Sequence, residues 1–311
     1  MNILGKRYIF FAVSIIFILV GLVIIAVDGL PLAVDFKGGT LLELQYSTPD
    51  LPGTEEVVAI YEEFDFKEVS VQTANDSTNQ RTVLVIRSPF MDEQVKGEIV
   101  SQLEALTDAE IIVNSFESVG PVIAEQVTQR AAVAVGIAAL AVVIYITFAF
   151  RGITNAFRYG ICGILAMLHD VLIVVSLSAI GGKLFGWQVD SMFLTALLTV
   201  IGFSVQDKIV VFDRIRENSR IFRKLEFEKL VNHSIVQTLQ RSINTQLMTV
   251  EFMLLALALF GGVTLREFAV ILLVGLFSGT YSSIFIAAPL LVVWETKEWK
   301  NWFKKRENAT A

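Results

Sequence analysis

Six long apolar stretches constrain the fold more than any other feature of the sequence. They lie at about residues 8–27, 131–150, 159–181, 190–212, 243–260 and 267–294. A helix of about 20 apolar residues is long enough to cross the hydrocarbon core of a bilayer. The composition agrees, because 54% of the residues are hydrophobic and only 18% are charged, less charge than soluble domains usually carry. The sequence therefore predicts a polytopic α-helical membrane protein with six transmembrane helices.

The first apolar stretch has two interpretations, a membrane anchor or a cleavable signal peptide. Lys6 and Arg7 precede it, as basic residues precede the core of a signal peptide. Its apolar run is longer than such a core, however, and no small-x-small cleavage site follows closely. We therefore expect an anchor.

Basic residues cluster in four regions that six spans would bring to one side of the membrane. These are Lys6 with Arg7, Arg151 with Arg158, the seven Lys and Arg of 213–241, and the five of the C-terminal tail. Because cytoplasmic loops are enriched in Lys and Arg, both termini are predicted to be cytoplasmic, in a multi-pass protein of the cytoplasmic (inner) membrane. Residues 28–130, on the opposite side, carry 19 acidic and 6 basic residues.

This topology divides the chain into four parts. Residues 1–27 form the first transmembrane helix with its cytoplasmic N-terminus, 28–130 an extracytoplasmic domain, 131–294 a bundle of five transmembrane helices, and 295–311 a basic cytoplasmic tail. Within 213–241, mixed basic and apolar residues predict an amphipathic helix on the anionic cytoplasmic leaflet. Since topology accounts for the basic residues, nucleic-acid binding is not predicted.

The extracytoplasmic part is long enough for one small domain with its own core. Alternating apolar residues predict strands at 41–46, 69–73, 81–88 and 111–116, and helical spacing predicts helices at 54–64 and 91–107. The order β-α-β-β-α-β is that of a small α+β ferredoxin-like domain. The sequence contains no nucleophile–base pair, His/Cys cluster or phosphate loop. We therefore expect binding or mechanical coupling rather than an enzyme, with no cofactor and no metal.

Two charged residues, Asp207 and Lys208, lie inside the fourth apolar stretch. Ionisable residues within the membrane are costly and usually mark ion or proton pathways. A carboxylate suits this role, because burial favours its protonated form and a nearby cation favours its ionised form. Lys208 is expected to extend toward the membrane interface. The alternative is an ion pair with Glu251, which lies deep in the fifth stretch.

Further polar residues accompany this pair. His169 and Asp170 lie in the middle of the third stretch and form either a branch of a proton relay or a structural hydrogen-bonded cluster. Thr195, Thr199, Ser204 and Gln206 are expected on one side of the fourth helix, where they would line a wet path or bond to neighbouring helices. Gly275 and Gly279 predict a face for close helix packing.

Several motifs occur in an order and spacing that resemble one family along almost the whole chain. They are VDFKGG at 34–39, SVGP at 118–121, LHD at 168–170, VVFDRIREN at 210–218, RSINT at 241–245 and GTYSS at 279–283. Together they closely resemble the SecF family, the smaller subunit of the SecDF accessory complex of the protein-export translocon. That family contains half of the transmembrane core of the resistance-nodulation-division superfamily.

The resemblance implies a subunit that pairs with SecD and uses the proton-motive force to promote protein export. Its implied partners are SecD, the SecYEG translocon, YajC or YidC-type subunits, translocating preproteins and the lipid bilayer. Asp207 matches the intramembrane proton-site aspartate of the family, and Arg241 matches the arginine that partners it. The other residues that match family motifs are Asp35, Gly38, Gly39, Asp213 and Arg214.

The chain departs from the family pattern in two places. The family usually has Asn-Asp-Thr where this chain has Gln206, Asp207 and Lys208. After the RSINT motif the family continues with small and hydroxyl residues, where this chain has Gln246 and then Glu251. Lys208 and Glu251 are therefore added to Asp207, Arg241, Asp170 and His169 as candidate coupling residues.

Two other classes of function remain open. A proton-coupled exporter of lipids or small molecules would belong to the same superfamily, but such exporters generally carry two six-span halves in one chain. A scaffold subunit of the translocon that transports nothing would keep Asp207 as a buried structural charge. Export at a defined proton gradient distinguishes these classes.

Overall fold

The computed structural model describes residues 3–46, 51–76, 81–107, 109–151, 156–246, 252–260 and 263–298. The elements in chain order are α1 (Arg7–Asp28), α2 (Val34–Lys37), β1 (Gly39–Tyr46), α3 (Thr54–Glu63), β2 (Ser70–Asp76), β3 (Arg81–Ser88), α4 (Glu93–Thr107), β4 (Ile111–Val119), α5 (Pro121–Ala149), α6 (Ala156–Phe185), α7 (Ser191–Ile221), α8 (Phe227–Gln246), α9 (Phe252–Phe260), α10 (Val263–Ser282), a π-helical turn (Ser283–Ala287) and α11 (Ala288–Thr296). They form a helical bundle joined to one small sheet.

Five helices in the described part of the chain are long and apolar enough to cross a membrane. They are Leu4–Asp28, Pro121–Ala149, Ala156–Phe185, Ser191–Ile221 and Leu265–Thr296, the last continuing from α10 through the π turn into α11. The predicted fifth span, 243–260, is not one described helix. It falls on the end of α8, on residues 247–251 outside the described part, and on the nine-residue α9.

Two helices extend well beyond the predicted spans. Helix α5 begins at Pro121, ten residues before the predicted 131–150, since proline is favoured in the first turn and Gly120 precedes it in an extended conformation. Helix α7 continues through the charged residues to Ile221. The predicted single surface helix over 213–241 is therefore wrong. Its second part belongs to α8, which buries Leu230, Val231 and Ile235 against the bundle.

The sheet has the strand order β2-β3-β1-β4, with every pair antiparallel. All four predicted strands and both predicted helices of this domain are present in the predicted order, with small shifts at their ends. Apolar residues of one sheet face, among them Leu42 and Leu44, pack with Tyr61, Ile99 and Leu103 of the two helices. The short α2, which precedes β1, was not predicted.

Helices α6, α7 and α10 pack closely at the centre of the bundle. Two glycines of α10 allow this approach. A Cβ atom at Gly275 would lie 2.4 Å from Cγ2 of Val200, and one at Gly279 would lie 3.2 Å from Cα of Ser204. The predicted close-packing face of Gly275 and Gly279 is confirmed, and it brings the polar residues of three helices together.

Candidate functional site within the membrane bundle

Asp170 lies at the centre of α6 and is 1% exposed. Its Oδ2 atom accepts hydrogen bonds from Ser204 Oγ at 2.6 Å and Lys208 Nζ at 2.7 Å, both of α7, and from Ser282 Oγ of α10 at 2.7 Å. Its Oδ1 atom accepts one from Ser278 Oγ at 2.8 Å. Four donors from two neighbouring helices therefore surround one carboxylate.

Lys208 is the cation of this cluster. Its side chain is 1% exposed and forms an ion pair with Asp170 at 2.7 Å. The ammonium group also contacts the carbonyl oxygen of Ser204 at 3.2 Å and the hydroxyl of the same residue. The expectation that Lys208 reaches the membrane interface is wrong. A lysine one turn after Ser204 lies opposite Asp170, and pairing within the bundle avoids an uncompensated buried charge.

His169 borders the cluster at its edge. Its Nδ1 atom lies 3.0 Å from Asp170 Oδ1, and its ring stacks on Tyr281 with the ring centroids 6.3 Å apart. The Nε2 atom is buried and has no hydrogen-bond partner among the described residues. One imidazole nitrogen thus contacts Asp170, and the other has no partner among the described residues. This geometry fits both predicted interpretations, a branch of a proton relay and a structural hydrogen-bonded cluster.

Asp207 occupies a different face of α7, because adjacent helix positions point about 100° apart. Its side chain is 7% exposed, and Oδ2 accepts a hydrogen bond from Thr280 Oγ1 at 2.9 Å. The preceding residue, Gln206, is exposed. Asp207 therefore lies at the border between the packed core and an uncovered side of the helix.

That uncovered side of α7 carries small and polar residues. Thr195, Gly202 and Gln206 are exposed there, and Thr199 lies on the same helical stripe. Ser204, which was predicted to share this side, instead faces Asp170. The predicted polar stripe is thus present without Ser204. Polar residues on a transmembrane helix usually face another polypeptide or water rather than lipid.

The GTYSS segment contacts both buried carboxylates, Asp170 and Asp207. Gly279 permits the close approach to Ser204, and Thr280 donates to Asp207. Tyr281 stacks on His169 and donates from its hydroxyl to the carbonyl of Phe10 at 3.1 Å. Ser282 donates to Asp170, directly before the π-helical turn. Such turns often occur at functional sites, because they rotate the following side chains relative to the helix.

The remaining coupling candidates lie apart from this cluster. Arg241 is exposed on α8, and none of the ion pairs between described residues includes it. Glu251 lies outside the described residues. The structure therefore brings Asp170, His169 and Lys208 together with Asp207 nearby, and it does not bring Arg241 into their contacts.

The double-glycine motif joins the sheet domain to the bundle. Asp35 accepts hydrogen bonds from the backbone N–H of Ser191, at 2.9 Å, and from the hydroxyl of that residue, at the start of α7. Gly38 and Gly39 have φ values of +76° and +122°. A Cβ at Gly39 would lie 2.8 Å from the carbonyl oxygen of Ser88, so a larger residue does not fit.

The VVFDRIREN segment holds the α7–α8 hairpin together. Arg214 donates to Gln237 of α8 at 2.7 Å, whereas Asp213 pairs at 2.7 Å with Arg216 of its own helix. The buried Asn218 donates to Ser234 Oγ at 2.8 Å and to Gln237 Oε1 at 2.9 Å. Asp213 and Arg214 therefore make structural contacts in the last part of α7, and none of the contacts between described residues joins them to the buried carboxylates.

Sequence reasoning missed three residues of the site, Ser278, Thr280 and Ser282. A signal was present, because Ser278 and Ser282 are four residues apart and so share one face of an apolar helix. The described residues contain no group of three or more His, Cys, Asp or Glu side chains that would hold a metal ion. The groups that meet at the site, carboxylates, an ammonium group, an imidazole and hydroxyls, can pair charges and exchange protons.

Comparison with known proteins gives consistent matches. A family model described as protein export membrane protein SecD/SecF, C-terminal, matches residues 99–297, and one for the SecD/SecF GG motif matches residues 23–50. The chain is 63% identical to the protein translocase subunit SecF of Anaerolinea thermophila, over 98% of this chain and 97% of that protein. It is 43% identical to the protein of the same name from Thermobaculum terrenum, over 100% and 99%.

Solved structures give the same result. The crystal structure of SecDF, a translocon-associated membrane protein from Thermus thermophilus, matches with a TM-score of 0.80 and 33% identity, over 95% of this chain and 39% of that chain. A structure of SecDF in a super-membrane-facing form matches with a TM-score of 0.66 and 32% identity, over 100% and 40%. The chain thus spans about two fifths of the SecDF chain.

Proposed function

The chain belongs to the SecF family of protein translocase subunits, and from that membership we propose that it acts with SecD to couple the proton-motive force to protein export. It is an auxiliary, non-enzymatic subunit of the Sec translocase in this proposal. The observation that supports it most directly is the position of Asp207, a carboxylate inside the membrane at the border of packed core and exposed polar stripe.

Proton coupling requires a carboxylate that is neutral in one conformation and charged in another. We propose that Asp207 is this carboxylate, because it lies between α7 and α10 beside the exposed stripe that includes Gln206, where a proton could reach it. An approaching cation would favour the ionised form, and we propose that Arg241 supplies it. In the conformation described above Arg241 is exposed on α8, so this step requires α8 to move relative to α7.

The exposed stripe of α7 also supports a pairing with SecD. The polar side chains of Thr195 and Gln206 are unfavourable in contact with lipid, and the small Gly202 permits close approach of a second helix. A SecD helix that covers the stripe would shield Asp207 from lipid and complete the proton path. SecYEG, YajC or YidC-type subunits and translocating preproteins are the further proposed partners.

The finer topology belongs to the same proposal. We propose that residues 243–260 supply the fifth of six transmembrane spans, that both termini are cytoplasmic, and that the protein lies in the inner membrane. The domain bounds are 1–27, 28–130, 131–294 and 295–311, and the sheet domain is ferredoxin-like and extracytoplasmic. The antiparallel strand order β2-β3-β1-β4, with two helices on one face, supports the ferredoxin-like assignment.

One observation favours a second candidate, a scaffold subunit that transports nothing. The charge of Asp170 is compensated by Lys208 and three serines, which is the arrangement expected of a structural ion pair. If Asp207 were equally structural, the subunit would stabilise its partners without carrying protons.

Export of a secretory protein into inverted membrane vesicles separates the two candidates. Wild type, Asp207→Asn and Asp65→Asn are compared at matched expression, with and without a proton gradient. Asp65 is highly exposed in the sheet domain, so its substitution controls for the same chemical change. Coupling predicts that only Asp207→Asn removes the gradient-stimulated export. An unchanged gradient response in Asp207→Asn would favour the scaffold.

A further inference from the structure

A cleft of about 820 Å³ lies where the sheet domain meets the membrane bundle. Its walls include α2 with the double-glycine turn, the first residues of β2, the end of β3, and Pro121 at the start of α5. Gln188, in the connection between α6 and α7, closes one side. The cleft is therefore built from both parts of the molecule.

Basic residues are concentrated in this cleft. The 28–130 region has only six Lys and Arg against 19 acidic residues. Three of the six, Lys37, Lys67 and Arg87, line the cleft, and Glu68 is the only acidic residue among the lining residues that the structure describes. Because the rest of this region is strongly acidic, the concentration of its basic residues in one cleft favours an anionic ligand there.

Arg87 has unused binding capacity. One guanidinium nitrogen donates to Gln72 Oε1 at 2.8 Å, but Nε is buried and has no partner within the described structure. None of the ion pairs between described residues includes Arg87. Burial lowers the pKa of Arg87, although Glu267 and Glu43 act in the opposite direction. An anion in the cleft would compensate this charge and satisfy the free donor.

The two lysines are available for the same anion. Lys37 is exposed at the end of α2. Lys67 lies 3.7 Å from Asp65, and both side chains are more than four-fifths exposed, so that contact is weak. Neither lysine is therefore committed to a strong ion pair.

The cleft also has an apolar wall at the level of the membrane surface. Leu32, Val34, Val69 and Phe90 line it, and Phe90 remains 49% exposed. Leu32 lies four residues after the end of α1, and Gln188 lies between two membrane-spanning helices. Basic and apolar groups at this depth match a lipid, whose phosphate and acyl chains meet at the interface.

We propose that this cleft binds an anionic phospholipid, with its phosphate between Lys37, Lys67 and Arg87 and its glycerol and upper acyl carbons against Leu32 and Phe90. Such a site goes beyond the export function, since it neither needs nor predicts proton coupling. A soluble acidic peptide would use the three cations but not the membrane-level apolar wall, so the lipid is the occupant that accounts for both features.

The test uses the full chain in mild detergent, titrated with short-chain phosphatidylglycerol, short-chain phosphatidylcholine and inorganic phosphate in turn. Bound lipid is counted by native mass spectrometry. Wild type is compared with Lys37→Gln/Lys67→Gln, which removes two exposed charges from the cleft. The matched control, Lys96→Gln/Arg130→Gln, removes two charges outside it; Lys96 pairs with Glu93, and Arg130 is exposed on α5.

We expect wild type to bind phosphatidylglycerol more tightly than phosphatidylcholine, and the cleft variant to lose about tenfold in that affinity. The control variant should bind like wild type, and inorganic phosphate should not displace the lipid. Equal binding of the two lipids, or equal losses in both variants, would overturn the proposal. Displacement of the lipid by inorganic phosphate would equally overturn it, because the site would then recognise the phosphate group and not a lipid.

Discussion

Asp170 and Asp207 are two carboxylates of the same bundle with very different partners. Asp170 is surrounded by an ammonium group and three serine hydroxyls and lies deep between α6, α7 and α10. Asp207 accepts a hydrogen bond from a neutral group, the hydroxyl of Thr280, and lies at the edge of an exposed stripe. The neighbouring positions 207 and 208 of α7 therefore hydrogen-bond to different partners, Thr280 and Asp170.

One bundle can therefore hold a fixed charge at Asp170 and an exchangeable one at Asp207. A buried ion pair with saturated hydrogen bonds keeps its charge, because removing either partner leaves the other uncompensated. A carboxylate beside a hydroxyl donor and an exposed polar stripe can change its protonation at lower cost. We infer that Asp170 with Lys208 holds the helices in position and that Asp207 exchanges the proton.

The largest predicted effect comes from Lys208→Met, which removes the cation and keeps an unbranched side chain shorter by one heavy atom. Asp170 is then left as an uncompensated buried charge, and we expect the free energy of unfolding to fall by about 3–5 kcal/mol. Unfolding of the purified protein in detergent measures this. The double variant Asp170→Asn/Lys208→Met should recover much of the loss. Equal losses in the single and double variants would contradict the pairing.

The next effect concerns the helix contact that holds both sites. Gly275→Ala places a methyl group against Val200, where a Cβ atom would lie 2.4 Å from Cγ2, and overpacking of this kind costs about 1–3 kcal/mol. Gly202→Ala is the matched control, since a Cβ there meets nothing within 4 Å. We expect the control to unfold like wild type. A similar loss in both variants would show that helix approach is not the cause.

A smaller effect is expected from Ser282→Ala. It removes one hydrogen bond to Asp170 and leaves Lys208, Ser204 and Ser278 in place, so the loss of unfolding free energy should be about 1 kcal/mol. Thr147→Ala, which removes a hydroxyl that donates to the carbonyl of Val143 in its own helix, is the control. If Ser282→Ala destabilised the protein as much as Lys208→Met, the Lys208 ammonium group would not be the main partner of Asp170.

The smallest effect on stability is expected from Asp207→Asn, below about 1 kcal/mol. The asparagine has nearly the same volume, and its side-chain oxygen still accepts the hydrogen bond from Thr280. Unfolding in detergent at neutral pH checks this. A loss of several kcal/mol would mean that Asp207 is a structural charge like Asp170, and the distinction between the two sites would disappear.

The sequence predicted the parts of this molecule that depend on local patterns. Apolar length identified four complete spans and the last long helix, and alternation identified the strands of the sheet domain. The site depends on contacts between distant residues, which no local pattern encodes. Lys208 pairs with Asp170 from 38 positions away, and Ser282 reaches the same carboxylate from a third helix. Spacing could separate the faces of Asp207 and Lys208, but it could not identify what each faced.

We infer that Asp207, not Asp170, changes its protonation. Difference infrared spectroscopy of the reconstituted protein tests it directly, by following the C=O stretch of protonated carboxyl groups as the pH is lowered. We compare wild type, Asp207→Asn and the charge-balanced Asp170→Asn/Lys208→Met. We expect one carboxyl band of wild type to be missing from Asp207→Asn and retained in the double variant. A band that is lost from the double variant and retained in Asp207→Asn would contradict it.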